Sequence, residues 1–166
     1  SSYGIYAGHG STISDCSANN NTLDGIYAET GSTISGCTAS QNTGDGIYAG
    51  YGATISDCSA SYNTDDGIQT SSDSKITGNT CDNNGLFADD GAGIHVTSGD
   101  NRIDSNNTTD NDRGIDVPEG IRNLIIRNSA SGNTDNYDIV GGNKDAQVLS
   151  PGTAFVSTDP WANFSF

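Results

Sequence analysis

The residues best suited to acid–base chemistry are concentrated in the middle of the chain. Asp66, Asp90, His95, Arg113 and Asp116 combine carboxylates with an imidazole and a guanidinium. Carboxyl and imidazole groups are the usual general acids and bases of enzymes. No complete hydrolase signature accompanies them, and both Asp-Asp-Gly sequences are also explained by turns. These five residues are therefore catalytic candidates only if the fold brings them together.

A tyrosine recurs every 21 residues in the first half of the chain. The column at this position reads Tyr6, Tyr27, Tyr48, Gln69, His95 and Asp116. The tyrosines and Gln69 could form a platform that binds carbohydrate, because aromatic faces pack against sugar rings. Alternatively, the tyrosines form a cross-strand ladder that stabilises a sheet by about 0.2–1 kcal/mol per pair. We favour the ladder.

Three aspartates at the same spacing, Asp24, Asp45 and Asp66, are candidate calcium ligands. Stacked coils would place these like charges about 4.8 Å apart, which is unfavourable without solvent or a bridging cation. Calcium accepts such oxygen ligands. The nonapeptide calcium-binding repeat is missing, however, and each turn supplies one reliable acid. We therefore expect solvated turns, with calcium as a possible cofactor.

The cysteines form a ladder of their own at Cys16, Cys37 and Cys58. Their expected spacing of about 4.8 Å lies within the Cα range for disulfides. Three thiols cannot all pair with one another, so free thiols and one adjacent disulfide both stay open. A linear ladder does not offer the tetrahedral geometry of zinc, and His9 and His95 occupy non-equivalent positions.

The composition restricts the partners that the protein can have. Its 166 residues include 21 acidic and 6 basic side chains, which gives a formal net charge of −15. A surface of this charge repels nucleic acid. No stretch has the length of a transmembrane helix, so membrane insertion is not expected. Only 32% of the residues are hydrophobic, too few for an ordinary globular core.

The elements that would position these side chains follow from an internal repeat of 21 residues. Three copies align without gaps, at residues 4–24, 25–45 and 46–66, and three degenerate copies begin at Gly67, Gly93 and Gly114. Each copy contains three short segments of alternating polarity separated by Gly, Asn and Asp, which is typical of strands and turns. The repeat predicts an all-β, single-stranded, right-handed parallel β-helix of about six coils.

Stacking turns each repeat position into a column. Inward columns are predicted at Ile5, Ile26, Ile47, Ile68, Ile94, Ile115 and Ile139, at Ile13, Ile34, Ile55, Ile76, Ile103 and Ile125, and at Ala18, Ala39, Ala60, Cys81, Thr108 and Ala130. An asparagine column is predicted at Asn21, Asn42, Asn63, Asn84, Asn111 and Asn133, and the cysteine column continues as Asn79, Asn106 and Asn128. We expect these asparagines to adopt left-handed turns and to hydrogen-bond along the ladder.

The repeat also carries a resemblance to a known family. The pattern Gly-Ile-x-x, x-Ile-Ser-x-Cys/Asn-x-Ala, together with Arg113-Gly-Ile-Asp-Val and Asp159-Pro-Trp-Ala-Asn-Phe, resembles the short-repeat, secreted bacterial members of the pectate-lyase-like right-handed β-helix superfamily. The resemblance covers residues 3 to about 143. It implies the fold, a secreted or cell-surface location and, in polysaccharide-acting members, a groove along the first-strand sheet. Lyases of this superfamily use a basic residue as the base, and related hydrolases use convergent carboxylates. Most short-repeat members have no assigned activity.

Two regions are predicted: the repeats at 1–143, and a tail at 144–166 that either caps the last coil or connects the chain to a neighbouring one. We expect the repeat to stop after Asn143 and the tail either to fold over the last coil or to dock on a neighbouring chain. Extra residues at Leu86 to Gly91 predict a loop beside the first strand. The chain begins at Ser1 inside the repeat, so we expect a processed product or a piece of a longer protein.

Three functions are compatible with these features. The first is a non-enzymatic structural β-helix, secreted or at the cell surface, that self-associates end to end or mates with upstream coils. The second is a polysaccharide-binding or polysaccharide-cleaving module, lyase-like or hydrolase-like, that uses the first-strand surface. The third is an ice-binding surface made of the Thr-x-Ser pairs at residues 12–14, 33–35 and 54–56, which Lys75 and Arg102 interrupt in later coils.

Overall fold

The chain folds as a parallel β-solenoid. The computed structural model describes residues 2–85, 91–150 and 157–166, and within these ranges every regular element is a strand. Three strands make one coil, and successive coils pair in parallel to form three sheets. The predicted all-β solenoid of about six coils is confirmed. In the described ranges there is no helix with the length and apolarity that crossing a membrane requires.

Each sheet collects one strand from every coil. The first sheet contains β1 (Ile5–Ala7), β4 (Ile26–Ala28), β7 (Ile47–Ala49), β10 (Ile68–Thr70), β13 (Ala92–Val96), β16 (Arg113–Val117) and β19 (Asp135–Ile139). The second contains β2 (Thr12–Ser14), β5 (Thr33–Ser35), β8 (Thr54–Ser56), β11 (Lys75–Thr77), β14 (Arg102–Asp104), β17 (Leu124–Ile126) and β20 (Lys144–Asp145). The third contains β3 (Ser17–Asn19), β6 (Thr38–Ser40), β9 (Ser59–Ser61), β12 (Thr80–Asp82), β15 (Asn107–Thr109), β18 (Ser129–Ser131), β21 (Val148–Leu149) and β22 (Asn163–Ser165).

The predicted inward columns form the core, with one correction at the last coil. Ile26, Ile47 and Ile68 pair in register and are fully buried. The Ile13 and Ala18 columns stack in the same way from coil to coil. Ile139, however, does not continue the Ile115 column. Tyr137 pairs with Ile115, and Ile139 pairs with Val117, because β16 and β19 begin at Arg113 and Asp135 and align from there.

The asparagine column is a hydrogen-bonded ladder inside the turns. Asn42 Oδ1 accepts the backbone N–H of Asn21 at 3.0 Å and its side-chain amide at 2.9 Å, and the same pattern repeats to Asn133. The left-handed conformation predicted for these asparagines is wrong. It belongs to the preceding residue, as at Asn20, with φ of 59°, and Gln41, with φ of 57°. The ladder asparagines instead turn inward, where their amides satisfy the buried backbone.

This ladder explains the glycine that opens each repeat. A Cβ on Gly46 would lie 2.5 Å from Asn63 Nδ2 and 2.6 Å from the carbonyl oxygen of Gly67. Both distances are shorter than real Cβ contacts, so the Gly-Ile sequence is required by the close approach of backbone and amide rather than by a special φ. A third ladder, which the sequence reasoning missed, runs through Ser74, Asn101, Asn123 and Asn143, and Ser32 occupies the same column beyond a gap at Ala53.

Cys16, Cys37 and Cys58 are free thiols and form the first rungs of the ladder that continues as Asn79, Asn106 and Asn128. Cys58 Sγ lies 3.4 Å from the backbone N–H of Cys37, where later coils place an asparagine oxygen. Of the two open alternatives, the structure contains free thiols and no adjacent disulfide among the described residues. Burial raises the pKa of the Cys58 thiol to about 11, so this group is not an activated nucleophile.

The tail folds over the last coil of its own chain and supplies a further rung. Strand pairing continues past Asn143, where we expected the repeat to stop, because β20 pairs with β17. Further along, β22 pairs with β18, and Asn163 Oδ1 accepts the backbone N–H of Asn128 at 2.9 Å. Asn163 is fully buried. The expected loop at 86–91 lies outside the described residues except for Gly91.

Replacing Asn163 with alanine should destabilise the protein by about 1–3 kcal/mol, because the buried N–H and amide of Asn128 would lose their acceptor. The matched control is Asn107→Ala, at an exposed asparagine on β15 outside the ladder, which should change stability by less than about 0.5 kcal/mol. Chemical denaturation of both variants measures the difference. Equal effects would contradict the role of the tail as a rung.

Candidate functional site on the first sheet

The outward face of the first sheet carries the predicted column in register. Tyr27 pairs with Tyr48, Tyr48 with Gln69, Gln69 with His95, and His95 with Asp116. Asp138, which the sequence reasoning left out, continues the column after Asp116. A signal for it existed: its place three residues after Asp135 matches that of Asp116 after Arg113. The face therefore changes from aromatic to charged along the solenoid axis.

The tyrosines stack on one another. The ring centroids of Tyr6 and Tyr27 are 5.4 Å apart with an interplanar angle of 5°, and those of Tyr27 and Tyr48 are 4.7 Å apart at 11°. Tyr3, another residue that the sequence reasoning missed, packs on Tyr27 at 4.8 Å. Because the ring faces contact each other, mainly edges and hydroxyl groups point outward. The stacked rings form an aromatic ladder along the sheet.

A hydrogen-bonded group surrounds the first tyrosine hydroxyl. Tyr6 Oη donates to Glu29 Oε1 at 2.6 Å, and His9 Nε2 lies 3.0 Å from Glu29 Oε2. The hydrogen bond and charge of Glu29 raise the pKa of Tyr6. All three side chains are at the surface, so this group adds polarity to the end of the ladder and not a buried site.

Four of the five catalytic candidates meet where the aromatic ladder ends. His95 Nδ1 lies 2.8 Å from Asp66 Oδ2, and Gln69 Nε2 donates to the same oxygen at 2.9 Å. Asp66 Oδ1 accepts the backbone N–H of Ala92 at 2.7 Å, which fixes the carboxylate. Asp66 ends the turn before β10, and His95 is on β13 of the next coil. The fifth candidate, Asp90, lies outside the described residues.

Asp116 joins this cluster from the following coil. Its Oδ2 lies 3.2 Å from an Arg113 terminal nitrogen and 4.0 Å from His95 Nε2, while Arg113 Nε lies 3.6 Å from Asp138. His95 Nε2 and Asp116 Oδ1 are buried and have no hydrogen-bond partner within residues 2–85, 91–150 and 157–166. The cluster therefore links four successive coils through charged side chains.

The electrostatics of the cluster favour a charged imidazole. Burial alone would lower the pKa of His95, but the hydrogen bond and charge of Asp66 and the charge of Asp116 outweigh it and raise the pKa. Burial also raises the pKa of Asp116, against the opposing charges of His95 and Arg113. The side chains of Asp66 and Asp116 are only 4% and 2% exposed. The cluster can hold a proton, but its carboxylates are enclosed.

The calcium candidates are not the solvated turns that we expected. Asp45 and Asp66 are buried, and each Oδ1 accepts a backbone N–H of the next coil, as Asp24 Oδ1 does from Asp45 at 2.9 Å. Burial and the charges of Asp66 and Asp24 raise the pKa of Asp45 to about 8. Among the described residues, no three His, Cys, Asp or Glu side chains are arranged to hold a metal ion.

The family relationship agrees with this architecture. A family model described as the right-handed beta helix region matches residues 1–131. The chain belongs to the right-handed β-helix family. No curated protein and no solved structure matches it. Family membership supports the fold and the right-handedness of this solenoid. Its function depends on the side chains on its surface, about which the fold alone says little.

We expect His95 to stabilise the β-helix most strongly at acidic pH. A group whose folded pKa is raised contributes stability that is present below its unfolded pKa, about 6.5, and is lost as the pH rises through the folded pKa. Replacing His95 with Asn should therefore cost about 1.5–3 kcal/mol near pH 5 and less near pH 9. Thermal melts across this range measure the gap, with His9→Asn, at an exposed histidine, as the control. A gap that stays constant with pH would contradict a charged His95.

Asp45 should destabilise the β-helix at alkaline pH. Its unfolded pKa is about 3.9 and its folded pKa is about 8, so wild-type stability should fall between these values as the unfolded state releases a proton that the folded state retains. Asn keeps the oxygen that accepts the Asp66 N–H but carries no charge. We expect Asp45→Asn to match wild type near pH 4 and to be more stable by at least about 1 kcal/mol at pH 9.

The control for this experiment is Asp57→Asn, at an exposed aspartate. It should show no comparable gain at pH 9. A constant difference between Asp45→Asn and wild type from pH 4 to pH 9 would show that Asp45 is ionised throughout and would contradict its raised pKa.

Proposed function

We propose that this β-helix is a non-enzymatic structural module, secreted or at the cell surface. The observation that carries the proposal is the enclosure of Asp66 and Asp116, whose side chains are 4% and 2% exposed. A general acid or base must reach the bond that it acts on. These carboxylates instead contact His95, Arg113 and the backbone, where they join neighbouring coils.

The stacked tyrosines support the same proposal. Tyr27 is contacted by Tyr3, Tyr6 and Tyr48, so its ring contributes to the cohesion of the sheet. A rigid solenoid with ladders along its turns and its outer face is suited to spacing or supporting other domains. The location outside the cell rests on the resemblance to secreted short-repeat proteins, and the formal net charge of −15 favours solubility there.

End-to-end assembly is part of this proposal, and the first coil is the surface that would mediate it. The tail strand β22 is paired with β18 of its own chain, which argues against the tail as a connector. At the opposite end, β1, β2 and β3 are the edge strands of the three sheets. Edge strands offer unpaired backbone groups to further coils or to a second copy.

Polysaccharide binding or cleavage on the first sheet is the second candidate. The partly exposed edges of Tyr27, Tyr48 and Gln69 support it, because they lead without interruption to His95 and could contact an extended chain. The lyase form of this candidate would use calcium, with Asp24, Asp45 and Asp66 as the ligands. The ice-binding alternative is weakened by Lys75 and Arg102, which follow Thr54 in one column.

One set of purified proteins separates these functions: wild type, Tyr27→Ala, His95→Asn and the control Tyr51→Ala, at a tyrosine that is 58% exposed outside the ladder. For a structural module, Tyr27→Ala and His95→Asn should melt at lower temperature than wild type, and glycan-array binding and polysaccharide cleavage should be the same for all four proteins. Light scattering of wild type over a range of concentrations should show self-association.

Two outcomes would overturn the structural proposal. Glycan binding that Tyr27→Ala weakens and Tyr51→Ala preserves would establish the carbohydrate-binding function. Release of unsaturated or reducing ends that His95→Asn abolishes would establish an enzyme. A constant monomer mass at all concentrations would remove end-to-end assembly while leaving the structural role.

A further inference from the structure

A cleft of about 490 Å³ lies outside the second sheet, near the C-terminal end of the solenoid. One wall is a single outward column, in which Leu124 pairs with Arg102 on one side and with Lys144 on the other. Because neighbouring strands are about 4.8 Å apart, two cationic side chains flank one apolar side chain. The volume falls within the range of small-molecule sites, roughly 300–1,000 Å³.

Trp161 of the tail also lines the cleft. The Arg127 guanidinium lies over the indole ring, 5.1 Å from its centroid, which occupies one ring face. The backbone of Trp161 is fixed in both directions, because its N–H donates to Asp159 Oδ1 at 2.9 Å and its carbonyl accepts the Arg127 N–H at 3.0 Å. Even so, Trp161 is 48% exposed, so a rigidly held aromatic surface borders the cleft.

The floor of the cleft determines the kind of ligand that fits. Ile126 and Ala146 line the cleft together with Leu124 and Trp161. The indole N–H of Trp161 is the one polar group among these four side chains. A ligand covered with hydroxyl groups would leave them without partners against this aliphatic floor, at a cost of about 1–3 kcal/mol for each buried group. A flat apolar body, in contrast, would fill the space between the indole and the aliphatic wall.

The charge distribution identifies the polar end of that ligand. The chain has 6 basic residues, and Arg102, Arg127 and Lys144 stand at this cleft. Arg102 and Arg127 both pair with the buried Asp104. Burial would raise the pKa of Asp104, but the hydrogen bonds from the two arginines outweigh it and lower the pKa to about 2. Lys144 is exposed and forms no ion pair within the described parts of the chain.

The acidic residues at the cleft are placed differently from Lys144. Asp159 is engaged with the backbone of Trp161. Asp145 follows Lys144 on β20, is exposed, and lines the cleft at the level of Ile125. A negative group seated against Leu124 would meet Lys144 and Arg102, the two neighbours of Leu124 in its column, whereas Asp145 and Asp159 line the cleft outside that column.

We propose that this cleft binds an amphipathic anion, namely a carboxylate or sulfonate attached to an aromatic body. The aromatic part packs between Trp161 and the wall formed by Leu124 and Ile126, and the anionic group pairs with Lys144. This binding site is independent of the first sheet and adds a ligand to a module whose proposed role is structural.

The probe for this site is 8-anilinonaphthalene-1-sulfonate, with the uncharged N-phenyl-1-naphthylamine as its matched partner. Trp161 is the single tryptophan of the chain, so its indole N–H gives one NMR signal that reports directly on the cleft. We expect the sulfonate to shift this signal on titration. We also expect Lys144→Gln to weaken sulfonate binding about three- to fivefold and to leave the uncharged probe unaffected.

Lys75→Gln is the control variant, because Lys75 is exposed on the same column but outside the cleft. It removes the same charge and should leave binding of both probes unchanged. The proposal is overturned if the indole signal stays in place on titration, or if Lys75→Gln and Lys144→Gln weaken sulfonate binding equally. It is also overturned if Lys144→Gln affects both probes alike, since the anion would then play no part.

Discussion

The stacking of side-chain amides inside the turns is the interaction on which the rest of this solenoid depends. Each ladder asparagine has to receive two hydrogen bonds from the coil before it, as Asn63 does from Asn42 at 3.1 and 2.9 Å. This requirement fixes the register of all three sheets at once, because a one-residue slip would break every rung and turn the isoleucines outward. It also dictates the glycine before each first strand, since a Cβ at Gly46 would collide with the Asn63 amide. The tail obeys the same rule by placing Asn163 on Asn128.

Stacking identical residues is favourable for amides and unfavourable for carboxylates. An amide both donates and accepts, so one asparagine satisfies the next, whereas a carboxylate only accepts. The Asp24, Asp45 and Asp66 column shows the consequence, because burial and its like-charged neighbours raise the pKa of Asp45 to about 8. Two coils beyond Asp66, this column holds Arg113, and the adjacent column places His95 beside Asp66. The irregular coils thus place the positive side chains of Arg113 and His95 at the end of the aspartate column that the regular coils form.

Periodicity made most of the fold predictable, and the failures occur where periodicity ends. Ile13, Ile34 and Ile55 could be assigned to the core because their spacing is constant. Ile139 was misplaced because the last coil keeps the alignment of Arg113 with Asp135 and puts Tyr137 in the isoleucine position. Asn163 could not be found, since it lies 35 residues beyond Asn128 and outside any repeat. At the candidate site, the meeting of Asp66, His95, Arg113 and Asp116 was predictable from the columns. The enclosure of the carboxylates was not, because burial depends on how the side chains of adjacent columns cover one another.

The same reasoning bears on where a solenoid can acquire a ligand. Along a regular column every coil presents the same group, and its neighbours cover much of each side chain, as the stacked tyrosines do. A concave surface needs a break in the column, with side chains of unlike size and charge at successive levels. The change from Thr54 to Lys75, Arg102, Leu124 and Lys144 is such a break, and the later part of this column lines one cleft together with Trp161 of the tail. The irregular end of the β-helix therefore has the geometry for recognition, while its regular end has the geometry for stiffness.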